Sequence, residues 1–242
     1  MQEISPVVII PHYKHADKIG KVIEVLQAKN LPIIVIDDGS DLQSQKQLQT
    51  LAQAKGFSLE LNSQNQGKGA VVKQAFKLAQ AQGYTHAIQV DADGQHQIQD
   101  VLKFIALAKV NPQALICGLP IYGADAPKSR LYGRKITNFW NMINTWSLDL
   151  ADGMCGFRLY PLASINALIE AQPIGDRMDF DTEILVRSHW EAIPMLWLET
   201  PVKYNQDGSS HFRAWGDNWL ISKMHARLFF GMLGRILRGK KV

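Results

Sequence analysis

Short apolar runs and amphipathic stretches alternate along most of this chain. Residues 7–10 (Val-Val-Ile-Ile) and 33–36 (Ile-Ile-Val-Ile) are continuously apolar and β-branched, the pattern of strands buried on both faces. Between them the spacing predicts a helix over 17–29, with Ile19, Val22, Ile23 and Leu26 on one face. Helices over 43–55, 69–82 and 98–109, and strands over 57–61, 85–90 and 114–117, continue the rhythm. It loosens beyond Gly118. A loop over 120–127, a helix over 131–146, a polar turn at 149–153 and a strand over 156–160 come first. A helix over 162–171, another starting near Phe180, and a strand over 195–199 follow. Such alternation builds an α/β sheet, mostly parallel and Rossmann-like, with helices on both faces. Ligands bind such sheets outside the carboxyl ends of the strands. No Pro/Gly/Ser-rich linker divides residues 1–205, which read as one domain. Residues 206–242 add a polar loop and an amphipathic basic helix, either part of that domain or a membrane-association appendage.

Composition narrows the class without naming a function. Hydrophobic content of 46% and charged content of 20% are those of an ordinary globular protein. The net charge of +4 is concentrated in the last twenty residues, which points to one end touching an anionic surface. Nucleic acid gripped along a whole face is not expected. Cys117 and Cys155 give neither metal-ligand spacing nor a disulfide framework. The first residues lack the basic and apolar regions of a signal peptide, and no apolar run reaches the roughly 18 residues that span a bilayer. The expected location is the cytoplasm.

Candidate chemistry gathers where the predicted strands end. Asp91 and Asp93, one residue apart after the strand over 85–90, are hard oxygen ligands of the kind that hold Mg²⁺ or Mn²⁺ against substrate phosphates; an ordinary polar turn is the bland alternative. Pro11 to Tyr13 and Asp37 to Ser40 belong to the same sheet edge. A carboxylate at Asp37 or Asp38 suits a ribose hydroxyl or a base N–H, or else an Asx turn before a helix capped by Ser40 or Asp41. Asn65-Gln66-Gly67-Lys68-Gly69 precedes a helix, where amides and dipole favour an anion, but it is neither a P-loop nor a dinucleotide fingerprint. Arg130 and Arg134 share a helical face and could clamp a diphosphate, or simply be solvated. Asp181 is the inward carboxylate of the helix at 180, while Glu183 and Arg187 read as a surface ion pair. His12, His96 and His211 fall in predicted loops.

In order and combination these motifs resemble glycosyltransferase family 2, and within it the dolichyl- and polyprenyl-phosphate sugar synthases. The resemblance rests on Pro11-His12-Tyr13, Asp37-Asp38-Gly39-Ser40, Asn65-x-Gly67-Lys68-Gly69 and Asp91-Ala92-Asp93-Gly94-Gln95-His96. Later matches are Ser129-Arg130, Asp152-x-x-x-Gly156-Phe157-Arg158 and Phe180-Asp181-x-Glu183. It implies a GT-A nucleotide-diphospho-sugar fold and inverting transfer from a nucleotide sugar. By that match Pro11, Tyr13 and Asp37 or Asp38 hold base and ribose. Asp91, Asp93 and Gln95 surround Mg²⁺ or Mn²⁺, which stabilises charge on the leaving diphosphate. Lys68, Asp91, Arg130 and Arg134 are the further candidates for binding the donor. A phosphate acceptor needs little base catalysis, whereas a hydroxyl acceptor needs a carboxylate, for which Asp181 and Asp152 are the candidates. Three features depart from the family pattern: Cys155 replaces its usual Ser, Asp181 stands where Glu is common, and no pair of transmembrane helices follows.

The C-terminal residues add a partner. Projected as a helix, 217–237 places Lys223, Arg227, Arg235 and Arg238 in one sector and Leu228, Phe229, Met232, Leu233, Ile236 and Leu237 on the rest. That is the pattern of a helix lying in a membrane interface, or of one packed on protein. The expectation is a peripheral enzyme at the inner face of the cytoplasmic membrane, held through residues 219–242, which begin at Trp219 and end at Val242. It would act on a lipid-linked or lipid-like acceptor. A sugar nucleotidyltransferase is the alternative enzyme, although its Gly-rich loop is missing after the first strand. A nucleotide-sugar-binding module without turnover is the non-enzymatic alternative.

Overall fold

The computed structural model describes residues 3–14, 18–123, 126, 128–202 and 214–242. Among them lie strands β1 (Pro6–His12), β2 (Ile33–Asp37), β3 (Ser58–Leu61), β4 (His86–Gln89), β5 (Leu115–Tyr122), β6 (Arg158–Pro161) and β7 (Met195–Val202). One sheet holds all seven in the order β3-β2-β1-β4-β6-β5-β7. Only β6 runs antiparallel, paired with β4 on one side and β5 on the other. The helices are α1 (Ile19–Gln27), α2 (Leu42–Lys55), α3 (Lys68–Ala81), α4 (Val101–Val110), α5 (Lys128–Thr145), α6 (Leu162–Ala171), α7 (Phe180–Trp190) and α8 (Ala214–Leu237).

The apolar runs are continuous because both faces of the sheet are covered. Along β1, Val7 and Ile9 enter a core shared with α3, α6, α7 and α8, while Val8 and Ile10 enter a second core shared with α1 and α4. Helix α2 is largely polar and begins at Asp41, whose carboxylate accepts from Ser44 N at 2.9 Å; it stops at Gly56, which adopts a left-handed φ of 71°.

Pro11 and Pro120 lie inside strands, and parity explains why. Even residues of β1 direct their backbone groups at β2 (His12 O accepts from Asp38 N), and odd ones at β4 (Ile9 O accepts from Val90 N). Pro11 is odd, and β4 has already ended at Gln89, so its missing N–H forfeits no ladder bond. Likewise Pro120 faces the β6 side of β5, beyond the Ile116 and Cys117 pairings. Strand β5 therefore runs to Tyr122 along β7 instead of ending before a loop at 120. His12, too, closes a strand and is not part of a loop.

Helices α7 and α8 depart furthest from the pattern-based expectation. Helix α7 is buried on every side, so Glu183 and Arg187 do not form a surface pair. Glu183 is fully buried and accepts from Gly175 N (2.9 Å), from Arg187 Nε and Nη2 (2.9 and 2.7 Å), and from Arg227 of α8. The basic sector read along α8 is divided. Arg227 is bound to Glu183, and Arg235 bonds Glu191 (2.9 Å) and the Trp190 carbonyl, which leaves Lys223 and Arg238 exposed. Met224, Leu228 and Met232 of α8 are buried in the α3–α6–α7 core, whereas Trp219, Phe230 and Leu237 are exposed.

A buried carboxylate shared by two guanidinium groups is costly to neutralise, because both cations lose their partner. Glu183→Gln is expected to lower unfolding free energy by on the order of 3 kcal/mol. Urea titration of both proteins measures it, and a loss below about 0.5 kcal/mol, typical of surface substitutions, would show that the network contributes little.

Candidate active site

The parallel strands β1, β2, β4 and β5 deliver their carboxyl ends to one edge. Asp37 closes β2 and is fully buried. Its Oδ1 lies 2.8 Å from His12 Nδ1, and its Oδ2 accepts from Ser40 N at 2.9 Å and Gln45 Nε2 at 3.2 Å. Burial works to raise its pKa, but His12, Ser40 and Gln45 outweigh burial and hold the carboxyl below the usual range. Asp38 accepts from Gln66 N (2.7 Å), Gly67 N (2.9 Å) and Asn65 Nδ2 (2.8 Å). There burial prevails over those bonds and raises the pKa. Both carboxylates thus order the edge: Asp37 ties β2 to β1, and Asp38 fixes the 65–67 loop. Pro11 and Tyr13 flank them, with Lys14 Nζ 5.1 Å from the centre of the Tyr13 ring.

The glycines of the 65–69 loop serve close packing. A Cβ at Gly67, where φ is +104°, would sit 2.4 Å from the Asp176 carbonyl oxygen, and one at Gly69 would sit 2.6 Å from Phe180 Cβ. Two amides at this helix start are already bonded, Gly67 N to Asp38 and Ala70 N to Asp176 O. The fit of the 175–180 segment against this loop brings α7 next to α3, and with it Asp181 next to Lys68.

Lys68 is the hub of the edge. Its ammonium lies 3.1 Å from Asp91 Oδ1 and 3.0 Å from Asp181 Oδ2. Burial alone would lower its pKa, but Asp181 and Asp91 overcome that and hold it above the ordinary lysine value. For Asp91, burial is likewise overcome, by Lys68 and by His96 Nε2 at 3.4 Å, and its carboxyl stays well below the usual range. Gly156 makes room for the ammonium: a Cβ there would lie 2.7 Å from Lys68 Nζ and 2.8 Å from Gln89 Nε2. Arg158, fully buried in β6, donates to the Asp181 carbonyl at 2.5 Å and the Gly153 carbonyl at 3.0 Å.

A second carboxylate–guanidinium pair lies alongside. Asp152 bonds Arg134 and also accepts from Met154 N (2.9 Å) and Cys155 N (2.7 Å). Its acceptor capacity in this conformation holds Arg134 and the 152–155 turn. The Asn138 side chain clips the same turn to α5 through Ala151 O (3.0 Å) and Gly153 N (3.1 Å). Arg130 lies in the first turn of α5, and its side chain is outside the described residues, as are His211 and the loop at 207–213. Burial pushes the Cys155 thiol up to about 11 and Cys117 to about 12, so neither is a ready nucleophile.

Among the described residues no three His, Cys, Asp or Glu side chains close around a metal position. The donor chemistry nevertheless suits Mg²⁺ or Mn²⁺, which take few protein carboxylates and complete their shell with water and phosphate oxygens. Asp91 and Asp93 are hard donors on one turn, where Asp93 Oδ1 accepts from Gln95 N at 3.0 Å. The buried Asp181 Oδ1 has no hydrogen-bond partner among the described residues.

A mixed sheet with such a carboxyl edge is the GT-A architecture, and the chain belongs to glycosyl transferase family 2, whose pattern it matches over residues 7–168. It is 26% identical to the UDP-N-acetylglucosamine–dolichyl-phosphate N-acetylglucosaminyltransferase of Methanococcus voltae, over 95% of this chain and 96% of that protein. It is also 26% identical to the dolichyl-phosphate β-glucosyltransferase of Saccharomyces cerevisiae, over 82% of this chain and 68% of that one. Glucosyl-3-phosphoglycerate synthase of Mycobacterium tuberculosis, solved with Mn²⁺, UDP and glucosyl-3-phosphoglycerate, superposes with a TM-score of 0.66. The two are 13% identical, and the superposition covers 96% of this chain and 80% of that one.

Sequence patterns left out Gln89 beneath Gly156, and they named His12 and Arg158 within motifs without the contacts found here, His12 with Asp37 and Arg158 behind Asp181. The available signal was a charged or amide side chain within an otherwise apolar strand, as at Gln89 and Arg158. Gly156→Ala tests the cluster with little risk to the fold, because the atoms its methyl meets are ends of flexible side chains. Thermal stability is expected to hold within a few degrees while sugar transfer falls roughly tenfold to a hundredfold, as misplacement by about 1 Å produces. Unchanged transfer would dissociate Lys68 from the reaction.

Proposed function

We propose that this glycosyltransferase transfers a sugar, with inversion, from a nucleotide-diphosphate donor to a lipid-phosphate acceptor at a membrane surface, assisted by Mg²⁺ or Mn²⁺. The observation that carries the donor half is the Lys68 ammonium set between Asp91 and Asp181, at the edge where parallel sheets bind ligands. In this reading Pro11, in β1, and Tyr13, just beyond that strand, receive the nucleotide at the edge that Asp37 and Asp38 order. Asp91, Asp93 and Gln95 hold the ion, and when bound it stabilises negative charge on the departing diphosphate. Lys68, Arg130 and Arg134 face phosphate oxygens, with Asp152 positioning Arg134. Asp181 orients the acceptor oxygen for attack on the face opposite the leaving group, and it removes a proton only if that oxygen belongs to a hydroxyl. The two dolichyl-phosphate sugar transferases and the UDP-bound synthase support UDP as the nucleotide and a dolichyl-phosphate acceptor.

The acceptor half is supported by helix α5, which is inside out. Thr137, Asn141, Asn144 and Thr145 are buried, whereas Tyr132, Ile136, Phe139 and the neighbouring Trp146 and Leu148 are exposed. Among the described side chains of α5, Lys135 adds an exposed positive charge to this surface. Helix α5 packs on α8, which adds exposed Trp219 and Phe230, with Lys223 Nζ 5.2 Å from the centre of the Trp219 ring. An apolar, aromatic, basic face suits an anionic leaflet. It supports a position at the inner face of the cytoplasmic membrane, with α5 sharing the contact assigned to 219–242. No described helix is long and apolar enough to cross a membrane.

The experiment incubates the protein with Mn²⁺ and a panel of nucleotide sugars, against polyprenyl phosphate in anionic vesicles or a soluble phosphorylated acid. A glycolipid product is expected. Transfer only to the soluble acid would overturn the lipid assignment, and donor binding without any product would leave a binding module. Ile136→Glu with Phe139→Glu is expected to weaken vesicle co-sedimentation by about tenfold or more, since burying one such side chain contributes roughly 1.5–3 kcal/mol.

A further inference from the structure

The Lys68 ammonium touches two carboxylates brought from separate segments of the chain, one after the central strand β4 and one on the first turn of α7. It lies 3.1 and 3.3 Å from the two Asp91 oxygens and 3.0 Å from Asp181 Oδ2. Neither carboxylate is freely solvated; their side chains are 26% and 9% exposed. Around them Asp181 Oδ1, Gln89 Nε2 and His96 Nδ1 are buried without a hydrogen-bond partner among the described residues. Polar atoms left unsatisfied in this way surround a position built to receive a ligand, because a resting structure normally pairs its buried donors and acceptors. The room for the ammonium is also specific, since any side chain at 156 would intrude on it.

We propose that Lys68 is an internal counter-cation that competes with the divalent ion for Asp91, and that the donor diphosphate relieves the competition by giving the ammonium a new anionic partner. This rests on the donor-site reading above. Without nucleotide, an incoming divalent ion meets a carboxylate already neutralised by a fixed positive charge. With nucleotide, phosphate oxygens attract the ammonium away, Asp91 becomes available to the ion, and Asp181 loses its ion pair. The same displacement that admits the metal therefore exposes the Asp181 carboxylate to the acceptor. Metal and nucleotide must then strengthen each other's binding by equal factors, as linkage requires. The acceptor-side carboxylate also stays masked until the donor is in place, which limits futile encounters with acceptor alone.

Mn²⁺ binding, followed by the electron paramagnetic resonance signal of the free ion, tests this without any turnover. The wild type, Lys68→Gln and Lys68→Arg are each titrated with and without UDP, and with GDP in a parallel arm. Wild type is expected to bind Mn²⁺ at least about tenfold more tightly with the preferred nucleotide, within the usual span of coupling between sites. Lys68→Gln is expected to bind Mn²⁺ about tenfold more tightly than wild type when no nucleotide is present, and to lose most of the enhancement. Lys68→Arg, which keeps the charge, is expected to follow wild type. Far-ultraviolet circular dichroism and melting temperature verify that each variant is folded. If folded Lys68→Gln binds nucleotide-free Mn²⁺ no better than wild type, while wild type still binds Mn²⁺ and nucleotide together, the counter-cation inference is overturned and the donor site stands. Should wild type bind neither nucleotide in the presence of Mn²⁺, both are overturned.

Discussion

Carboxylates concentrated at one edge of a sheet repel one another and resist burial, and the contact of Lys68 with Asp91 and Asp181 resolves both problems at once. Other features of the edge follow from the need to hold that ammonium in place. Gly156 is small because the ammonium passes it, Gly67 and Gly69 are small because the 175–180 segment must come close, and Arg158 fixes the backbone of Asp181 from behind. Where such a charge balance is met by one lysine, the site can be reorganised by a ligand that offers a better anion.

The same segment links the site to the C-terminal helix. Asp176 binds Lys73 at 2.6 Å and Ala70 N, Arg177 binds Asn65 at 3.1 Å, and Gly175 N reaches Glu183, which Arg227 of α8 also grips. Helix α8 is thus anchored to the first turn of α7, two residues from Asp181. Its inner face belongs to the core, its outer face continues the aromatic surface of α5, and the carboxyl edge and the proposed membrane contact are built on shared elements.

Strands and helices were legible because burial on two sides imposes continuous apolar runs, and the sheet edge was legible because polar residues follow those runs. Patterns failed where burial was complete. Glu183 and Arg187 have the spacing of a surface pair, and nothing local reveals that α8 covers them. Pro120 looked like the start of a loop, since strand parity relative to β6 is a property of the assembled sheet. In α5 the spacing gave the helix but could not show that its polar side faces inward. For Asp37 and Asp38, sequence places the carboxylates at the edge, while their partners come from segments up to 29 residues away. Family resemblance correctly indicated glycosyl transferase family 2 and the GT-A fold, neither of which periodicity alone would have named.

The central claim is that the carboxyl edge is a donor site governed by Lys68, and a crystal structure with Mn²⁺ and a nucleoside diphosphate tests it most directly. The account predicts the nucleotide beside Tyr13, the ion on the turn of Asp91 and Asp93, and the Lys68 ammonium moved from Asp181 onto a phosphate oxygen. A nucleotide bound elsewhere, or bound at this edge with Lys68 still bridging both carboxylates, would contradict it.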